Sequence, residues 1–225
     1  MLRLALQPIA AEALGTGLLV AGVVGSGIMA SHLTHDAALA LLCNTLATAA
    51  LLVVLIMIFA PVSGAHFNPA VTIALAMNGD VAPSAIAPYI AAQILGGIGG
   101  TFAAHLMFGA KLFAYGIAVR SGAHLWFAEW VATFGLVLTI FGCMRRDVAT
   151  VASAVGLYIG AAYWFTASTS FANPAVTIAR ALTPTYAGIR PQDVPFFIAA
   201  QILGAIAAAL LSRKLFLPAQ PDAAK

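Results

Sequence analysis

The run Asn-Pro-Ala-Val-Thr-Ile-Ala occurs twice in this 225-residue chain, starting at Asn68 and again at Asn173. The copying extends further. Residues 89–100 read YIAAQILGGIGG and residues 197–208 read FIAAQILGAIAA. AEALGT at 11–16 has a weaker echo in AEWVAT at 128–133. A chain that repeats its signatures in one order is built from two related halves, here about 9–108 and about 123–217. Whatever it folds into must use each signature twice.

The surroundings of these signatures are apolar. Hydrophobic residues make up 62% of the chain and charged residues 8%, against about 25% charged in soluble domains. This composition is that of a membrane protein. Six runs reach the ~20 residues needed to span a bilayer: roughly 9–30, 38–60, 84–108, 123–144, 149–168 and 194–216. All are rich in Ala and Gly, which lets helices approach closely where lipid offers no hydrophobic drive for association. Met1–Pro8 followed by a long apolar run reads as the start of a span rather than a cleavable leader. Two further apolar pieces, about 68–77 and 173–183, are too short to span. Each follows a Gly- or Ser-containing turn and opens on Asn-Pro, so each reads as a re-entrant half-helix. The fold class is therefore all-α, one domain of six spans and two half-helices.

Each half holds three spans, an odd number, so the second half enters the membrane inverted relative to the first. Interrupted helices in inverted repeats place the functional site near the midplane. Arg3, Arg145, Arg146, Arg213, Lys214 and Lys225 fall on the side of the termini; Lys111, Arg120 and Arg190 fall on the other, with Arg180 near it. That bias places both termini in the cytoplasm. The net charge of +3 is read by position as topology, and no nucleic-acid footprint is present.

Asn is a preferred N-cap, and Pro fits the first turn, where its missing N–H would be unpaired anyway. Asn68-Pro69-Ala70 and Asn173-Pro174-Ala175 thus each begin a helix, with Ala small enough for two such ends to abut. Each helix N-terminus carries about +0.5 elementary charge. Two converging at the midplane repel cations, and the Asn amides can donate to a passing oxygen.

Glu12 and Glu129 stand alone in apolar spans, where a carboxylate is functional or paired. Their symmetric placement predicts bracing of the adjacent re-entrant loops, with Gln93 and Gln201 as partner braces; a proton relay is the alternative. Cys43 and Cys143 read as small core residues. His32, His35 and His124 read as solvated, and His105 as interfacial. No His/Cys/Asp spacing suggests a metal site.

On SGAHFNPAVT (63–72), the second NPA at 173–175, and the paired Glu12/Glu129 and Gln93/Gln201, the chain resembles the aquaporin and aquaglyceroporin (major intrinsic protein) family over nearly its whole length. The resemblance implies an aquaporin-like fold in a cell membrane, a homotetramer with one pore per subunit, passive conduction of small neutral solutes, no cofactor and no enzymatic chemistry. It places His66 beside the cytoplasmic half of the pore. It also implies a four-position selectivity filter, usually including an aromatic residue and an Arg directly after the second NPA. Counting from the motifs, those positions are Thr48, Ala161, Ser170 and Val176. None is aromatic or charged, which predicts a wide mouth. The Asp of glycerol channels is also missing, with Thr177 in its place. Arg180, one turn beyond Val176, either reaches the outer vestibule or snorkels to the surface. A Val in place of the Arg resembles the bacterial aquaglyceroporins associated with arsenic resistance, which implies permeation by arsenite, glycerol and water across a bacterial inner membrane. An ordinary water channel and, less favourably, a coupled secondary transporter remain open.

Overall fold

The structure, a computed structural model, describes residues 2–216, with side chains from Leu6 onward. Lys225, the Arg3 side chain and position 217 lie outside that description. Eight helices follow in order: α1 (Leu2–Leu33), α2 (Ala37–Ser63), α3 (Pro69–Met77), α4 (Pro83–Met107), α5 (Ala123–Cys143), α6 (Val148–Phe165), α7 (Pro174–Arg180) and α8 (Val194–Leu215). Six are long and apolar enough to cross a membrane. The short ones, α3 and α7, are the two half-helices.

Local chemistry sets the boundaries. Asp36 starts α2 by accepting from the Leu39 N–H at 2.7 Å, and Asp147 starts α6 through Thr150 at 3.0 Å. Gly64 ends α2 at φ 86°, a left-handed turn that favours a residue without Cβ. The half-helices start on Asn68 and Asn173 with Pro at their first position. At its far end α3 is capped by Arg213 of α8, whose Nε donates to Asn78 Oδ1 at 2.8 Å and whose Nη2 donates to the Met77 carbonyl. A cation there meets the negative end of the helix dipole.

Packing follows the repeat. Helix α1 lies along α4, and α5 lies along α8. Glycines permit the close approach. A Cβ on Gly96 would sit 2.1 Å from the Ala13 carbonyl oxygen, and one on Gly100 would sit 2.1 Å from that of Gly17. In the second half, a Cβ on Gly204 would meet the Trp130 carbonyl at 2.4 Å. The half-helices are exchanged: α3 packs on α8, and α7 packs on α4. Phe67, Val20, Val24, Leu55 and Val137 fill the centre, all 2% exposed or less. Leu and Met side chains such as Leu95, Leu106, Leu157 and Leu203 point outward, as suits a surface in hydrocarbon.

Three expectations need correction. Cys43 is exposed and Cys143 only partly covered, because both fall on outward faces of their helices. His105 is fully buried rather than interfacial. Its Nδ1 pairs with the Leu112 carbonyl at 2.9 Å and its Nε2 with the Thr183 hydroxyl at 2.8 Å, tying α4 to the loop after α7. The second half-helix stops at Arg180, not 183, where Thr183 turns away into that contact.

Candidate functional site: a pore between two half-helix starts

The two NPA motifs meet at the centre of the bundle and bind each other. Asn68 Oδ1 accepts from the Ala70 N–H at 2.9 Å, and Asn173 Oδ1 accepts from Ala175 at 3.0 Å and Val176 at 3.3 Å. Each Nδ2 then crosses to the other repeat. Asn68 donates to the Ala172 carbonyl and Asn173 to the Phe67 carbonyl, both at 2.8 Å. A primary amide carries two N–H donors, so each Asn keeps one for the cavity that both residues line.

The approach loops repeat the same strain. Ala65 and Phe67 have φ of 51°, and Ser170 and Ala172 have φ of 50° and 48°. Left-handed backbone at such residues costs of order 1–3 kcal/mol each. The buried glutamates offset it. Glu12 accepts from the His66 N–H at 3.0 Å, the Phe67 N–H at 2.7 Å, the Ser63 hydroxyl at 2.6 Å and the Gln93 amide at 2.7 Å. Glu129 accepts from the Phe171 N–H at 2.9 Å, the Ala172 N–H at 2.8 Å and the Gln201 amide at 2.6 Å. Gln93 and Gln201 also donate to Thr72 and Thr177 at 3.0 Å and 2.9 Å, and those threonines donate to the carbonyls of Asn68 and Asn173. This bracing by Thr72 and Thr177 is absent from the sequence expectations. Their place in both copies of NPAVT is the available signal.

One cavity runs past these motifs. Its wall comes from Thr48, Leu52 and Ile56 of α2 and from Val151, Val155, Ile159 and Tyr163 of α6, each series at four-residue spacing. Leu19, Val23, Leu136 and Ile140 make the wall apolar on the other helices. His66, Asn68, Ser170, Asn173, Val176 and Arg180 also line it. His66 Nδ1 pairs with the Thr72 hydroxyl at 3.1 Å, and its ring lies 5.2 Å from that of Tyr89.

Of the four counted filter positions, Thr48, Ser170 and Val176 line the cavity and Ala161 does not. Ala161 is exposed on the outside of α6. Two residues along a helix is about 200° of rotation, so the inward position is Tyr163. Its hydroxyl donates to Thr48 Oγ1 at 3.3 Å. The expectation of a lining without an aromatic side chain is therefore corrected: Tyr163 and Phe171 both contribute. Among the described residues the Ser170 hydroxyl is buried without a hydrogen-bond partner. Arg180 is not at the surface. It is 3% exposed, faces the cavity, and donates from Nε to the Ala187 carbonyl.

Comparison with known proteins bears on the family and the fold. The sequence pattern described as Major intrinsic protein matches residues 3–170 and 144–224. The chain is 56% identical to Aquaglyceroporin AqpS of Rhizobium meliloti (strain 1021) over 211 residues, covering 94% of this chain and 91% of that one. It is 33% identical to the Probable aquaporin TIP5-1 of Oryza sativa subsp. japonica, over 98% of this chain and 87% of the other. The X-ray structure of the aquaglyceroporin from Plasmodium falciparum superposes with a TM-score of 0.69, at 21% identity, over 94% of this chain and 95% of that one; at that identity the likeness speaks for the fold. The family pattern spans most of this sequence and the Rhizobium relative is matched over nearly its whole length, so the chain belongs to the major intrinsic protein family of membrane channels.

Proposed function

We propose that the chain is a passive pore for small uncharged hydroxylated solutes: glycerol, water and trihydroxy-arsenic(III), which glycerol resembles in size and in its three hydroxyls. The observation that carries this reading is the pair Val176 and Ser170. Val176 leaves the filter without the guanidinium that would fill it. Ser170 offers an unpartnered hydroxyl in the same cavity as the Thr48–Tyr163 pair and the Asn68 and Asn173 amides. A triol can exchange its water contacts for these groups while its carbon or arsenic side faces the apolar wall of Leu52, Val155 and Ile159. The name of the Rhizobium relative, an aquaglyceroporin, points the same way. The filter assigned here is Thr48, Tyr163, Ser170 and Val176. The chain assembles as a homotetramer with one pore per subunit, in a bacterial inner membrane with both ends cytoplasmic.

Tyr163 favours a second reading. A phenol at the mouth, with Arg180 beyond it, narrows the passage and suits an ordinary water channel. A coupled transporter is disfavoured, because Glu12 and Glu129, the acids buried in the spans, are spent on loop amides. Stopped-flow permeability of proteoliposomes to water, glycerol and arsenite, side by side, separates the readings. All three should pass without a proton gradient. Water alone would select the second reading, and strict dependence on a proton gradient would sink both.

A further inference from the structure

Phe171, two residues before Asn173, has two guanidinium groups over its ring. The Arg180 Cζ lies 3.3 Å from the ring centroid and the Arg120 Cζ lies 4.9 Å from it. The two arginines come from unrelated elements. Arg180 ends α7, whereas Arg120 belongs to the loop joining the two halves. Both are aimed by one strip of backbone: Arg180 donates to the Ala187 carbonyl, and Arg120 donates from Nε to the next carbonyl, Gly188, at 2.9 Å. Arg120 also reaches the Ser168 carbonyl at 3.4 Å, and its backbone N–H is held by Asp193 at 2.7 Å. Asp193 is itself clasped by Arg190.

Neither guanidinium is neutralised by a salt bridge among the described residues. Among the described residues the ion pair is Arg190–Asp193. The acid facing both is Glu129, with Tyr163 and Tyr186 as the other titratable neighbours. Glu129 is committed to the amides of Phe171, Ala172 and Gln201. The terminal nitrogens of Arg180 have no protein acceptor among the described residues, and that side chain lines the cavity. The two cations can be no farther from each other than the sum of their distances to the shared ring, about one Debye length at physiological salt. Repulsion between like charges so close is unfavourable in a partly dry site, and cation–π contact and carbonyl acceptors offset it. Bracing the loop would need one arginine. Arg180 lines the cavity, whereas Arg120 sits beside it on the Phe171 ring and can act on the cavity through its field.

We propose that Arg120 is a second charge-selecting residue, forming with Arg180 a two-guanidinium collar that restores the fixed positive charge absent at Val176. The collar rejects small cations at the far mouth, before they meet the half-helix dipoles, while uncharged hydroxylated solutes pass. This rests on the channel reading above.

The test is potassium leak from proteoliposomes, with glycerol flux measured on the same vesicles. Arg120→Gln and Arg180→Gln should each raise the leak about tenfold, with glycerol flux still above that of protein-free vesicles. Arg120→His keeps the comparison within one preparation and serves where the glutamine variant fails to assemble. Its leak should be low at about pH 5 and rise about tenfold by about pH 8, as an imidazole of ordinary pKa about 6.5 loses its charge; wild-type leak should not follow that profile. Lys111→Gln removes an exposed charge from the same loop and should leave the leak low. A flat Arg120→His profile, or a leak from Lys111→Gln equal to that from Arg120→Gln, would overturn the collar alone. Absence of any neutral-solute flux in the wild type would overturn the channel reading, and the collar with it.

Discussion

Val176 and Tyr163 line the same cavity from different helices, α7 and α6. Val176 sits on the first turn of α7, held by its N–H on Asn173 Oδ1, so its side chain has little freedom to retreat. Tyr163 comes from α6 and is steadied by Thr48. Their substitutions should therefore move flux in opposite directions. Val176→Arg places a guanidinium where the cavity is now lined by two methyls, and should lower glycerol and arsenite flux about tenfold, the effect of ~1.4 kcal/mol at the constriction, with water less affected. Tyr163→Ala removes a ring and should raise the flux of glycerol and of longer polyols. Stopped-flow shrinkage with a polyol series measures both. Unchanged polyol flux in Val176→Arg would mean that Val176 does not border the narrow point. A Tyr163→Ala channel with the wild-type size limit would return the filter to another residue of α6.

Between elements, the decisive contacts are backbone against backbone. The α1–α4 crossing needs Gly96, where any Cβ would overlap the Ala13 carbonyl. Ala13 is adjacent to Glu12, so forcing α1 away also drags the acceptor from the Phe67 and His66 amides. Gly96→Val should cost about 1–3 kcal/mol from overpacking, read as a lower thermal midpoint in detergent and as lost flux. Gly99→Ala on the same helix has nothing within 4 Å of its added Cβ and gains helix propensity, so it should be no less stable than wild type; an equal loss at both positions would show that the contact with Ala13 is not what matters. Much at this scale is legible in the sequence. Length and apolarity mark the six spans, and Asn-Pro after a turn marks where α3 and α7 begin. Side-chain direction is less so. Counting back from Asn173 reaches Ala161, because the count carries no information on how the loop after Phe165 winds; the spacing of Val151, Val155, Ile159 and Tyr163 is the better signal. Arg120 is readable only as a charge on the far side. An irregular loop has no periodicity to say that its side chain turns inward onto Phe171.

At the scale of the whole molecule, the cavity lies inside the bundle of one chain. The residues that line the cavity come from α1, α2, α3, α5, α6, α7 and the two re-entrant loops, and the exchanged packing of α3 on α8 and α7 on α4 locks the halves together. The Asn68 and Asn173 cross-bonds tie them at the centre. Alternating access would have to break both bonds and pull the glutamate-braced loops away from each other in every cycle, which a static passage avoids. In the proposed tetramer with one pore per subunit, neighbouring subunits would meet the outward Leu and Met side chains and add nothing to the filter. Mixed oligomers test this directly. A Val176→Trp chain, with an indole filling the filter, should be blocked but able to assemble. Co-reconstituted with wild type at graded ratios, glycerol flux should fall in proportion to the blocked fraction. A steeper fall, in which one blocked subunit silences its neighbours, would show a shared pore or a concerted cycle and would contradict a passage built within each chain.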